Sequence, residues 1–268
     1  MRHSSLSVSF TRPLSPVRPV TSPWVCALLS ALLLAGCGGN VSETAPPVTP
    51  EPAPTPTLAA LQGIWQSAAG DATSTSAIVL PDGHLWAVQV NGTGASTTTR
   101  VLKATLAVQG NGYNATGKSY TLGGSTSAPT TVPVAASVVE KTRLDVRVGA
   151  EASTQTLSLA WQSRYDTSAS LAGFAGAWSA TVGPGTVRWS IDEQGRVTGL
   201  RTTGCTYTGQ LALRPERKAV VDVSVQEDCA GARTQLDGVA TLQSESGRLS
   251  MVMTTADEAQ AVVLGLLR

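Results

Sequence analysis

Apolar residues along much of this chain fall on every second position, and that period decides what it can fold into. Val187, Trp189 and Ile191 alternate with Arg188, Ser190 and Asp192; Val221, Val223 and Val225 alternate with Asp222, Ser224 and Gln226. Leu144, Val146 and Val148 do the same against Arg143, Asp145 and Arg147. Successive side chains on a strand point to opposite faces, so each run describes a strand with one dry and one wet face. Turn signals at Pro81-Asp82-Gly83, Gly110-Asn111-Gly112, Asp192–Gly195 and Ser246-Gly247 separate the runs at hairpin spacing. No long helical period competes with them. The expectation is an all-β protein of antiparallel meanders, barrels or sandwiches, in which closure removes exposed strand edges.

The pattern occurs twice. Gly63-Ile64-Trp65 recurs as Gly176-Ala177-Trp178, and the turn Pro81–His84 as Glu193–Arg196. Ala104–Val108 then matches Gly209–Leu213, Arg143–Val146 matches Arg248–Met251, and Thr156–Leu159 matches Ala261–Leu264, all three at an offset of 105. One indel of seven residues, in the polar loop Asn91–Thr99, brings the five anchors into order. So long a period is no solenoid unit but a pair of tandem domains. The expected domains are 58–165 and 171–268, each of about eight strands, with a connector around Asp166–Ser170.

Ahead of them the composition changes. Arg2, Arg12 and Arg18, with no acid, precede the apolar run Trp24–Gly36, which ends Leu34-Ala35-Gly36-Cys37. A basic segment, a short apolar run and small residues at the end describe a secretory signal peptide. The run has 13 residues, against about 20 for a spanning helix. Leu-Ala-Gly-Cys resembles the lipobox of bacterial lipoproteins. The resemblance implies a signal peptide over 1–36 and acylation of Cys37 as the first mature residue. It also implies location in the cell envelope, held by a lipid anchor; Gly38 after the cysteine resembles the outer-membrane sorting pattern of cells that have one. Residues 37–57 then form a tether: Asn40–Thr57 carries six prolines and no aromatic, and in polyproline II its 18 residues reach about 55 Å.

Four cysteines are present. Cys26 leaves with the signal peptide and Cys37 takes lipid, so Cys205 and Cys229 remain as an even pair in an oxidising compartment, which suggests a disulfide. Cys205 opens a strand and Cys229 follows the strand that returns antiparallel beside it, so the two close one hairpin.

Glycine-x-tryptophan at the first strand, up-and-down strands and a basic residue after the last one resemble the calycin barrels, the group of lipocalins and avidins. In that group the tryptophan plugs one barrel end and the basic side chain packs across it. The resemblance implies this role for Trp65 with Arg164, and for Trp178 with Arg268. A tryptophan opening the first strand of a small β-domain also serves simply as core, and that reading stays open.

Residues that carry chemistry are scarce. The mature chain has 16 basic and 18 acidic residues, a net charge of −2, with no electrostatic footprint for nucleic acid. His84 is its one histidine and follows a turn, which fits neither a zinc set nor a nucleophile–base pair. The acids Asp192-Glu193, Glu227-Asp228 and Asp257-Glu258 are adjacent pairs at turns. Neighbours on a strand point to opposite faces, so they read as solvated turn residues. There is no nucleophile elbow or phosphate loop. Inward positions are almost all aliphatic, as in small barrels packed by their own side chains. The expectation is a non-catalytic envelope lipoprotein without metal or cofactor. Its two β-domains face a protein or surface partner, and its membrane contact runs through the lipid. The alternative is a calycin-like carrier of an apolar small molecule.

Overall fold

The computed structural model describes residues 55–92, 97–123 and 128–268. The segment Trp24–Gly36, Cys37 and most of the tether lie outside the described residues. The fold is all-β, two closed antiparallel barrels in tandem. The first contains β1 (Gly63–Gln66), β2 (Thr73–Val79), β3 (His84–Asn91), β4 (Thr98–Thr105) and β5 (Ala107–Gln109), then β6 (Gly112–Leu122), β7 (Thr130–Val139), β8 (Arg143–Val148) and β9 (Gln155–Trp161). β4 and β5 pair with β6 in one register, interrupted over Ala104, Thr105 and Leu106, and act as one bent strand. The ring therefore has eight staves, closed between β1 and β9. The second barrel contains β10 (Gly176–Val182), β11 (Gly185–Ile191), β12 (Arg196–Arg201), β13 (Cys205–Leu213), β14 (Val220–Cys229), β15 (Ala232–Gln243), β16 (Arg248–Thr255) and β17 (Ala261–Leu267).

One end of each barrel is stoppered by the same device. A single-turn helix precedes the first strand: α1 (Leu58–Leu61) and α2 (Leu171–Phe174). Thr57 and Ser170 cap them by accepting from the amides of Ala60 and Gly173, both at 3.3 Å. The buried tryptophan four residues on donates its indole N–H to the last helical carbonyl, Trp65 to Leu61 at 3.0 Å and Trp178 to Phe174 at 2.8 Å. Under each helix passes a turn glycine, Gly83 (φ 85°) or Gly195 (φ 80°). A Cβ there would sit 2.3 Å from the Leu106 carbonyl oxygen or 2.5 Å from that of Leu211. Only glycine meets both demands. The correspondence between the barrels thus runs back into Thr57-Leu58-Ala59-Ala60-Leu61 and Ser170-Leu171-Ala172-Gly173-Phe174.

Strand registers agree with four of the five sequence anchors and move the fifth. Leu144 lies opposite Leu159, whereas Leu249 lies opposite Leu266. Leu159 therefore corresponds to Leu266, not Leu264, because the β16–β17 hairpin is longer by two residues. The shift changes the residue at the barrel end. Trp65 faces Trp161 across the first seam, and the equivalent place opposite Trp178 belongs to Arg268. Arg268 holds its guanidinium 4.7 Å from the Trp178 ring and donates to the Gly173 and Ala175 carbonyls at 2.8 and 3.0 Å. In the first barrel that place goes to Trp161 rather than Arg164. The Trp161 ring closes against Gly63 and receives the Lys141 ammonium at 5.3 Å. Arg164 lies three residues on, in the turn after β9, where burial lowers its pKa and Glu245 is its opposing charge.

The barrels are not beads on a string. Their outer walls meet in an apolar junction of Ile64, Leu80, Trp86, Val101 and Tyr120 from the first, and Val220, Val239, Val252 and Ala261 from the second. Tyr165, 2 % exposed, fills it from the connector. The connector is itself bonded to the second barrel, Ala219 N–H to the Tyr165 carbonyl and Ala169 N–H to that of Arg217, both 3.1 Å. Asp166 bridges Lys141 (2.7 Å) and Lys218 (2.8 Å). Where the walls touch, alternation fails: Leu85-Trp86-Ala87 and Met251-Val252-Met253 are buried on both faces.

A buried carboxylate in the junction has no partner there and carries a large desolvation cost. Val252→Asp is expected to split a single calorimetric unfolding transition into two, with little change in far-UV circular dichroism. Trp178→Ala should remove roughly 3–5 kcal/mol in urea denaturation.

Candidate binding cleft

Two convex barrels in contact diverge on either side of the contact line, and on one side they leave a cleft of about 510 Å³. Trp86, Ala104 and Val239 are among its apolar lining, beside threonines, glycines and charged side chains of both barrels. Glu258 stands between two lysines, 2.7 Å from Lys103 Nζ and 2.8 Å from Lys118 Nζ. Those lysines face each other across β4 and β6. Like charges directly opposite are unfavourable, so the acid delivered by the other barrel resolves a conflict inside the first. Lys103 also donates to Thr254 Oγ1 at 3.2 Å and lies 4.7 Å from the centre of the Trp86 ring. Glu258 adopts φ 54°, and its carbonyl accepts from the Tyr120 hydroxyl at 3.2 Å. Burial, with the Glu258 and Asp257 charges, pushes the Tyr120 hydroxyl up to about 12.

A second cluster closes the other flank. Arg214 reaches Asp222 at 2.5 Å, Glu216 at 2.9 Å and, across the cleft, Asp82 at 3.4 Å. His84 Nδ1 lies 2.9 Å from Asp82 Oδ1. Burial pushes the Asp82 carboxyl up, but His84 and Arg214 outweigh it and leave the group below its ordinary value. Lys103, Lys118 and Arg214 are thus each matched by an acid. The lining contains threonine hydroxyls but no serine or cysteine. Such an arrangement suits recognition through ion pairs and hydrogen bonds.

His84 is half-exposed at the cleft rim, as a residue following a turn should be. The acid pairs divide. Asp192 accepts from the Gln194 and Arg196 amides within its own turn. Glu258 is no solvated turn residue but an inter-barrel anchor, and Glu227 accepts from the Tyr207 hydroxyl at 2.6 Å. Nothing in the sequence pattern marks Lys103, Lys118 and Arg214 beyond two lysines in facing strand positions.

Cys205 and Cys229 are bridged, directly opposite each other on β13 and β14 with Cα atoms 4.2 Å apart. Glu227 and the two sulfurs fall within 4.8 Å, but sulfurs bonded to each other are not thiolate ligands. The bridge sits at the barrel end away from α2. Burial, then Glu227, raises the Tyr207 pKa beside it. Each barrel interior is occupied by its own side chains, including Trp65, Leu85 and Leu144 in the first and Trp178, Trp189 and Leu249 in the second. Cys37 lies outside the described residues. Comparison with protein-family models, with curated proteins and with solved structures returned no match in any of the three.

Two outcomes are expected. Lys103 and Lys118 hold the Glu258 carboxyl below its ordinary value. Its stabilisation is therefore present above the unfolded-state pKa and lost as pH falls through the folded one. The urea midpoint should drop between about pH 5 and pH 3. Glu258→Gln should flatten that drop and cost up to about 1 kcal/mol per lost pair at neutral pH. Replacing Cys205 and Cys229 together by alanine should cost roughly 3 kcal/mol in denaturant titration for a loop of this length.

Proposed function

We propose that this protein is a lipid-anchored, non-catalytic recognition protein of the bacterial cell envelope, and that the cleft between its barrels is its binding surface. The observation that carries the reading is the cleft itself. It is built from both barrels, held open by a buried junction, and lined by charged groups already oriented by their partners. A preorganised surface loses little freedom on binding. The signal-peptide pattern ending at Cys37 supports export and acylation, and the proline-rich tether supports presentation at a distance from the lipid. More than one acyl chain is needed for stable anchoring, as lipoprotein-type acylation of Cys37 provides. The partner is an envelope component reached by the tether.

A second reading, a carrier in the calycin manner, draws on the interior of the second barrel. There the Trp189 indole N–H and the Arg201 Nε–H are buried without a partner. Both face the interior, and unmet donors of this kind fit the acceptor of a bound small molecule. Native mass spectrometry of protein isolated from envelopes separates the two readings: a stoichiometric small molecule favours the carrier.

Cys37→Ala should move the protein from the membrane to the soluble fraction; unchanged fractionation sinks the anchor. A photo-crosslinking residue at Thr116, in the cleft, should yield a discrete adduct in intact cells, and one at the distant turn residue Glu193 should not. Equal labelling from both positions removes the case for the cleft.

A further inference from the structure

The cleft does not end at the barrel junction. Asp222 belongs both to it and to a second groove of about 510 Å³ on the outer wall of the second barrel. That groove crosses β12, β13, β14 and β15. Register arranges its side chains as a grid: Arg196, Gln210, Ser224 and Asp237 lie in one row across the four strands. Thr198, Thr208, Gln226 and Gln235 lie in the next. Neighbours in a row are about 4.8 Å apart and the rows about 7 Å apart.

Arg196 and Asp237 end the first row with opposite charges, and the six groups between and beside them are neutral and two-sided. A side-chain amide offers a donor and an acceptor together, and a hydroxyl does the same. Part of the grid is fixed: Gln235 Nε2 donates to Ser224 Oγ and Asp237 Oδ1, each at 2.9 Å, and Ser224 donates to Asp237 at 2.8 Å. The Gln235 Oε1 takes no hydrogen bond from the described residues. The side chains of Gln210, Gln226 and Thr208 make no hydrogen bond to any described residue.

The lining excludes other partners. Apolar contributions come from Gly209 and Ala212, too little for a lipid tail or the anchoring side chains of a peptide. Arg196 is the single cation, too little for a polyanion. What matches the neutral row Thr198, Thr208, Gln226 and Gln235, with Gln210 and Ser224 beside it, is a chain of vicinal hydroxyls and acetamides, which also donate and accept. We propose that the β12–β15 wall is a binding site for a neutral glycan strand. The inference rests on the reading of this protein as an envelope recognition protein and names the chemistry of its ligand.

The test uses the full-length protein in detergent. A β-1,4-linked tetramer of N-acetylglucosamine is titrated by isothermal calorimetry, with an acidic uronic-acid tetramer in parallel. The neutral tetramer should bind and the acidic one should bind at least about tenfold more weakly. Gln226→Ala and Gln235→Ala should each weaken binding about fivefold, the effect of one neutral hydrogen bond. These positions are on an outer wall, and unchanged thermal melting verifies the fold. Preference for the acidic tetramer, no binding at millimolar sugar, or affinity in the two variants equal to that of the unaltered protein overturns the proposal. The Thr116 crosslink reports on the cleft separately: if it persists while sugar binding fails, the glycan is wrong and the cleft reading stands. If the crosslink is lost while sugar still binds, the glycan stands and the cleft reading falls.

Discussion

The contact between the two barrel walls governs the rest of this molecule. A small β-barrel alone has a dry interior and a wet exterior. Here Trp86, Val101 and Tyr120 on one exterior and Val220, Val239 and Val252 on the other are dry as well, so each barrel carries an apolar outer face that the other covers. Burial of that area works without direction, while the polar groups around it set direction. Glu258 enters the lysine pair of the other barrel and Arg214 reaches Asp82, each on the margin of the apolar patch. The binding cleft is a by-product of this geometry, since curved walls that touch must part again at the edge.

Both barrels have one stopper, and they differ beyond it. The capped turn of helix, the tryptophan bonded to its last carbonyl and the glycine beneath it occur twice with matching distances. The residue opposite that tryptophan does not. Arginine at 268 satisfies helix-end carbonyls and stacks on the ring, whereas tryptophan at 161 fills the same space with apolar surface and borrows a cation from Lys141. The disulfide is likewise private to the second barrel, where Cys205 and Cys229 pin the end remote from the stopper.

Sequence alone carried the strand pattern well, because one-sided burial writes a period of two. It carried the disulfide because hairpin pairing places Cys205 opposite Cys229. It was silent on the junction, where two-sided burial in Leu85-Trp86-Ala87 and Met251-Val252-Met253 looks like an irregular strand. The match of Thr156–Leu159 to Ala261–Leu264 failed by two residues, since both strands are apolar at every candidate register and only hairpin length decides. Arg164 took the place of Trp161 in expectation for the same reason. Glu258 resembled any turn acid, and its lysines stand more than a hundred residues away.

In each barrel every ladder but one joins strands that follow each other in the chain. The exception in the second barrel, β10 with β17, is registered at a single pair, Ser179 with Leu267. Hairpins form early because their loops are short, and a ladder between the first and last strands must wait for all of them. The barrel is in this sense a curled ribbon fastened at one stitch. Arg268, gripping two carbonyls on the far side of that seam, is the clasp that turns the ribbon into a cylinder.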